Sequence, residues 1–262
     1  MKTVQEFMSM KQAGRKISVV TGYDYWSALI LDESDVDAIL VGDSAAMVMH
    51  GFETTINAEL EMMCYHVAAV KRGLTNKFLI ADLPFLAHKK GLTFLTESVD
   101  VLMKAGAQAV KLEGAEQNIE SIKHLVSAGV PVMGHLGLTP QSIHKLGGNK
   151  LQGNDESSSE RILKEAQSLE DAGCFSIVLE MIPAKLARTI TETLSIPTIG
   201  IGAGIHTSGQ VLVLQDLLGF SKDFNPKFLR KYLDGFSLIK SALNAYNSDV
   251  KEEKFPSAKE SY

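Results

Sequence analysis

Short apolar runs rich in β-branched residues recur along the whole chain, with amphipathic stretches between them. The runs fall at 17–21, 38–41, 78–81, 109–112, 130–134, 176–179, 198–201 and 210–214. They are nearly continuously apolar rather than alternating, the pattern of parallel strands covered on both faces. The intervening stretches read as helices. Ser157-Ser158-Ser159-Glu160 has the form of a capping box, and Ile162, Leu163, Ala166 and Leu169 behind it share one helical face. The stretch 58–72 ends in Lys71 and Arg72, which suit the negative end of a helix, and Gly73 follows as a candidate left-handed cap. Ala105-Gly106, Ala128-Gly129 and Ala172-Gly173 each stand just before a new run, where glycine can turn the chain back.

Alternating strand and helix predicts a parallel sheet. Eight repeats with no shift in composition predict an α/β fold closed as a (β/α)8 TIM barrel, with an open doubly wound sheet as the second choice. Thr3-Val4-Gln5-Glu6 predicts a short capped helix ahead of the barrel. After the eighth run, Asn225-Pro226 opens sequence that reads as helical to about Tyr246, and the polar tail 249–262 is expected to be mobile. The whole of 1–262 is read as one domain.

Composition agrees with this picture. Hydrophobic residues make up 45% and charged residues 22%, enough to bury a large core and too apolar for a disordered chain. The net charge of -5 is spread along the chain, so neither nucleic acid nor an anionic membrane is expected as a partner. Two cysteines, Cys64 and Cys174, form neither a metal-ligand spacing nor a disulfide framework, as expected in a reducing cytosol. Residues 1–14 carry Lys2, Glu6 and Lys11 and no apolar run, unlike a signal peptide. No stretch approaches the roughly 20 apolar residues of a membrane span. The expectation is a soluble cytoplasmic protein.

Barrel enzymes build their sites at the C-terminal ends of the strands. Those ends carry Asp43, Asp82, Glu113, His135 and Glu180, after the second to sixth runs in turn. Four carboxylates converging on one mouth repel one another unless a cation or a proton compensates, and oxygen donors with open positions suit Mg2+. The plainer reading is that each acid caps the next helix. Asp82 is followed by Leu83-Pro84 and Glu113 by Gly114, so neither directly starts one. Lys111 lies two residues before Glu113 and therefore on the same face of its strand, needing either Glu113 or an anionic substrate as counter-charge. His135 has no role assigned by spacing. Gly200-Ile201-Gly202-Ala203-Gly204 fits either a phosphate cradle or close backbone packing. The long stretches 44–57 and 136–155 read as binding loops or lids.

Several segments, taken in order, carry a family resemblance. They are Thr21-Gly22-Tyr23-Asp24-Tyr25, Val41-Gly42-Asp43-Ser44, His66 with Ala68-Ala69-Val70-Lys71-Arg72-Gly73, and Ala81-Asp82-Leu83-Pro84-Phe85. Then come Val110-Lys111-Leu112-Glu113-Gly114, Gly134-His135-Leu136-Gly137-Leu138-Thr139-Pro140-Gln141-Ser142, Val178-Leu179-Glu180, Ile196-Pro197 and the glycine run from Gly200. Collinear over roughly residues 3 to 245, the sequence resembles the ketopantoate hydroxymethyltransferase family. The resemblance implies a transferase that moves a hydroxymethyl group from 5,10-methylenetetrahydrofolate to 3-methyl-2-oxobutanoate, forming 2-dehydropantoate in pantothenate biosynthesis. By motif it implies Asp43, Asp82 and Glu113 around one Mg2+ per subunit, some acting through water. It implies Asp43, Ser44, Asp82 and Lys111 at the keto acid, Glu180 as the general base, and a homo-oligomer, in this family a decamer. Ala45-Ala46, Ala115, Ser208 and Gln215 depart from the family pattern without replacing any of these positions. A Mg-dependent carbon–carbon lyase or mutase of the phosphoenolpyruvate mutase/isocitrate lyase type is the alternative. Its lyases need a cysteine in a loop near the metal, a place that neither Cys64 nor Cys174 fits. A non-catalytic binding barrel is a third reading.

Overall fold

The eight apolar runs form eight parallel strands of one closed barrel in the computed structural model, which describes residues 3–262. The strands are β1 Ile17–Thr21, β2 Ala38–Val41, β3 Phe78–Asp82, β4 Ala109–Glu113, β5 Val132–Gly137, β6 Ser176–Glu180, β7 Thr198–Ile201 and β8 Gly209–Leu212. Each pairs with its neighbour in sequence, and β8 closes on β1 with Ile17 opposite Gly209. β3, β4 and β6 continue one residue past the apolar runs, because Asp82, Glu113 and Glu180 are themselves ladder residues. β5 starts two residues later than its run, beyond Pro131, which has no N–H to donate.

The chain divides into two compact units, one ending at Val213 and the other running Leu214–Tyr262. Helices of the first unit are α1 Val4–Gln12, α2 Tyr25–Glu33, α3 Ala45–Val48, α4 Leu60–Gly73, α5 Leu92–Ala105, α6 Ile119–Ser127, α7 Ile143–Leu146, α8 Glu156–Asp171 and α9 Ala184–Thr193. The second unit holds α10 Leu214–Leu217 and α11 Gly235–Lys251. Among the described residues no helix is long and apolar enough to cross a membrane.

Local chemistry explains most of the boundaries and corrects four expectations. The capping box of α1 is present as read: the Thr3 hydroxyl accepts from Glu6 N, and Glu6 accepts from Thr3 N at 2.5 Å. Lys2 lies outside the described residues. α8 is capped by Asp155 rather than Ser157; its carboxylate accepts from Ser158 N at 2.9 Å, and a charged acceptor suits the positive helix end better than a serine. Gly73 is not a left-handed cap but the last residue of α4. It is small because α2 lies against it: a Cβ there would sit 2.7 Å from Ala28 Cβ and 2.9 Å from Tyr25 O. α11 opens at Asp234, whose carboxylate accepts from Ser237 N, not at Asn225-Pro226, where Pro226 O only accepts a turn bond from Leu229 N. It also runs on to Lys251, so the first residues of the predicted tail are helical. The turn glycines Gly106, Gly129 and Gly173 do adopt positive φ, at 121°, 89° and 94°.

The N-terminal end of the barrel is plugged. Phe7 and Met10, three apart on α1, pack with Ile17, Val19, Phe78, Met133 and Phe175 in one buried cluster. This leaves the opposite end of the barrel free to carry chemistry.

Candidate active site

At the C-terminal mouth the strands deliver a buried network of opposite charges. Lys111 on β4 lies opposite Asp82 on β3, and its ammonium is 2.9 Å from Asp82 Oδ1. Lys111 therefore pairs with Asp82, not with Glu113 as its spacing allowed. Glu113 lies opposite His135 in the next pair of strands, with 3.5 Å between Glu113 Oε1 and His135 Nδ1. The other ring nitrogen, Nε2, is 3.1 Å from Glu180 Oε2. Lys111 Nζ also stands 3.3 Å from His135 Nδ1, so both cations and all their acids form one connected group.

Asp43 joins through its backbone and its side chain. Its N–H donates to Asp82 Oδ2 at 3.0 Å, and its own Oδ2 accepts from Gln141 Nε2 at 2.9 Å. Gln141 also donates Nε2 to Leu83 O at 2.9 Å and its backbone N–H to Glu113 Oε2 at 3.0 Å. One glutamine on the loop after β5 thus ties the ends of β2, β3 and β4 together. Ser44 Oγ lies 2.7 Å from the hydroxyl of the buried Tyr23. Every candidate residue read from the strand ends is in this mouth. Gln141 and Tyr23 were not singled out, although both lie inside the quoted family segments.

The helix-cap reading fails for these acids and holds for another. Asp24 caps α2 by accepting from Ser27 N at 2.8 Å, whereas α3 has Ser44 at its cap position and no side-chain cap bond. The glycine run is explained by close packing. A Cβ on Gly200 would meet Thr207 Oγ1 at 2.8 Å, and one on Gly204 would meet Ala184 Cβ at 2.5 Å.

Burial sets the electrostatics. It pushes the Asp43 carboxyl well above the usual carboxylate range, and the charges of Asp82 and Glu113 push the same way. Asp82 is also raised by burial, against the pull of Lys111. Burial would raise Glu113 too, but His135, Lys111 and the Gln141 N–H outweigh it and hold the carboxyl low. For Lys111, burial opposes the charge, and Asp82, Glu113 and Asp43 more than restore it. Burial and Lys111 lower His135, yet Glu113 and Glu180 raise it further, to about 9.

Two details fix Glu180. Its carbonyl accepts from Leu138 N at 2.8 Å, and a Cβ on Gly137 would lie 2.1 Å from that oxygen, so only glycine allows the approach. Met181, the next residue, has φ 47°, a left-handed conformation that costs a non-glycine residue on the order of 1 kcal/mol or more. The strand thus turns sharply just after its carboxylate.

A closed parallel barrel with acids, a lysine and a histidine buried at its C-terminal mouth has the architecture of a barrel enzyme. The chain belongs to the ketopantoate hydroxymethyltransferase family, whose model matches residues 1–258. The 3-methyl-2-oxobutanoate hydroxymethyltransferase of Bdellovibrio bacteriovorus is 57% identical over 262 residues, 100% of both chains. That of Coxiella burnetii is 55% identical over 96% of this chain and 95% of its own, and that of Legionella pneumophila 53% over 99% of each. Among solved structures, phosphonopyruvate hydrolase in complex with oxalate and Mg++ is similar with a TM-score of 0.63 and 12% identity, over 99% of this chain and 93% of that one. A 2,3-dimethylmalate lyase of the PEP mutase/isocitrate lyase superfamily gives 0.58 and 14% over 98% and 89%. At these identities the likeness shows a shared fold. Cys64 sits within α4, and Cys174 is buried ahead of β6, at the end of the barrel away from the mouth.

Proposed function

We propose that the chain transfers a hydroxymethyl group from 5,10-methylenetetrahydrofolate to 3-methyl-2-oxobutanoate, forming 2-dehydropantoate for pantothenate biosynthesis, with Mg2+ as cofactor. The observation that carries this reading is the mouth itself, where a buried lysine–aspartate pair stands beside a glutamate whose carboxylate lies 3.1 Å from the Nε2 of His135. The chain is 53–57% identical to enzymes of that name.

The donor set fits the metal. Asp43, Asp82 and Glu113 offer hard oxygens, and Asp82 Oδ1 and Glu113 Oε1 are buried with ion-pair contacts but no aligned hydrogen bond. Among the described residues no three acids, histidines or cysteines meet at ligating distance, so water and substrate oxygens would complete the shell. That suits Mg2+, which keeps several waters and takes only one or two carboxylates directly. Bound there, Mg2+ would act as a Lewis acid and stabilise negative charge growing on the 2-oxo oxygen of the keto acid.

The chain's own groups supply the rest. Lys111 neutralises the substrate carboxylate, and Ser44, held by Tyr23, donates a hydrogen bond to it. Glu180 takes the proton from C3, and His135 holds that carboxylate in line. The resulting enolate carbon bonds to the donor's methylene carbon as that carbon's bond to N10 breaks and N10 takes the proton held by Glu180; water then supplies the hydroxyl as the bond to N5 breaks, its other proton goes to N5, and tetrahydrofolate leaves.

Tetrahydrofolate release, followed with a panel of 2-oxo acids, tests the reading. We expect release with 3-methyl-2-oxobutanoate, loss on chelation and recovery with Mg2+; no release with any acid of the panel would refute it. Lys111→Met is expected to weaken keto-acid binding about 30-fold, on the order of 2 kcal/mol for a buried charged hydrogen bond. Because the change also strips Asp82 of its partner, stability will fall as well, and binding must be titrated on folded protein. An unchanged dissociation constant in a variant that only melts early would make Lys111 a structural partner of Asp82.

A further inference from the structure

Two histidines outside the acidic network meet where the loop after β2 crosses α4. His50 follows α3 on that loop and His66 lies within α4, and their Nε2 atoms are 2.8 Å apart. The ring centroids are 5.1 Å apart with 75° between the planes, so the rings do not stack. His50 is exposed and His66 half-buried. The reaction proposed above uses neither.

The second nitrogen of His66 decides what the pair can do. Nδ1 lies 2.6 Å from Tyr23 O. A carbonyl only accepts, so Nδ1 carries the hydrogen, and in the neutral ring Nε2 keeps its lone pair, facing His50. Metal-ligating histidines have this arrangement: one ring N–H donates to a backbone carbonyl or carboxylate, and the other nitrogen coordinates. Two lone pairs cannot face each other at 2.8 Å, so between neutral rings His50 donates its Nε2–H to His66. Moving that hydrogen through solvent to Nδ1 of the exposed His50 ring frees a second lone pair with no change in charge.

The spacing is close to that of two ligands on one ion. Zn2+ holds imidazole nitrogens at about 2.0–2.1 Å, which in a tetrahedral shell sets them roughly 3.3 Å apart, so the rings need to part by about 0.5 Å. His50 has room to give that distance. It is exposed, and beside it Gly51 has φ 73° with nothing within 4 Å of where a Cβ would stand. Among the described residues no third histidine, cysteine or acid completes a set, so water would fill the other positions. Neutral imidazoles suit the later first-row divalent ions, Zn2+ and Cu2+ among them, whereas Mg2+ prefers the oxygens of the mouth.

We propose that His50 and His66 form a second metal site, for a late first-row divalent cation, that fastens the loop after β2 to α4. Tyr23 connects this site to the mouth. Its carbonyl orients His66, and its hydroxyl lies 2.7 Å from Oγ of Ser44, where the same loop begins. The cation holds the far end of the segment 44–50, whose near end Tyr23 already holds.

The test is metal binding to the full chain in excess Mg2+, with Zn2+ titrated by calorimetry and Cu2+ at one equivalent read by electron paramagnetic resonance. Wild type should take up one Zn2+ per chain, and the copper spectrum should show coupling to two nitrogens. His50→Ala changes an exposed side chain and should fold. It should weaken Zn2+ at least about tenfold, since even the loss of an outer partner of a ligand costs 10–100-fold, and it should remove one nitrogen from the copper spectrum. His66→Gln should lose binding too; if that variant melts early for want of the Tyr23 contact, His50→Ala decides alone. His124→Ala, on the exposed side of α6, and Asp82→Asn, in the mouth, should both bind Zn2+ as wild type does. Zn2+ affinity that is equal in wild type and His50→Ala, or absent from both, would overturn the site and leave the pair a hydrogen-bonded contact. Uptake that Asp82→Asn abolishes and His50→Ala keeps would place the cation in the mouth and overturn it equally.

Discussion

Glu180→Gln should lose exchange of the C3 proton of 3-methyl-2-oxobutanoate with D2O by about 100-fold or more, while still binding the keto acid. The first half of the proposed reaction needs no folate, since keto acid, Mg2+ and a base suffice to form the enolate. Loss of a general base typically costs 10²–10⁴-fold in rate. Glutamine keeps the size of the side chain but cannot take the proton. Its carbonyl oxygen can take the place of Glu180 Oε2, which lies 3.1 Å from His135 Nε2, so the ring should keep its neighbour. Binding should survive because Lys111 and Ser44, not Glu180, face the substrate carboxylate in this scheme. The measurement is proton NMR of the isopropyl methine signal in D2O with Mg2+ and without donor. Exchange at the wild-type rate in the variant would move the base elsewhere, and His135 would be the next group to change.

The strands were legible because both of their faces are buried, so each reads as a solid apolar run whatever its neighbours are. Asp82, Glu113 and Glu180 were legible for the complementary reason: a charge directly after such a run stands out, and the barrel brings all these ends to one mouth. What spacing left open was pairing. Lys111 shares a strand face with Glu113, but the register sets it opposite Asp82, and only the closed sheet decides between them. Gln141 was still harder to read. Its amide reaches Asp43, 98 positions away in sequence, from a loop with no apolar period to mark it. The start of α11 was misplaced because Asn225-Pro226 carries an ordinary helix-opening pair, while the working cap, Asp234, precedes a glycine. Gly73 looked like a cap because it follows two basic residues, and its reason lies in the approach of α2, which no local pattern records.

Phe7→Ala should cost about 3–5 kcal/mol of stability, the usual loss for a large aromatic removed from a packed core. Phe7 is fully buried, and it lies 5.4 Å from the Phe78 ring and 5.7 Å from the Phe175 ring, at angles of 58° and 86°. Those tilted and edge contacts add to the area it buries. The hole left by alanine cannot readily close. α1 is held at its start by the Thr3–Glu6 capping box and near its end by Lys11, whose ammonium donates to the carbonyls of Thr191, Leu194 and Ile196 at 2.9, 2.6 and 2.7 Å. A helix fixed at both ends cannot settle into the gap, so the cavity persists and its cost is paid in full. The loss should appear as a shift of the denaturant midpoint at fixed protein concentration, with the slope unchanged. The plug and the proposed active site occupy opposite ends of the barrel, so the folded variant should keep its turnover number within about twofold at low temperature. A loss below about 1 kcal/mol would mean that α1 does not seal the barrel, and a large fall in turnover in folded protein would mean that the two ends are coupled.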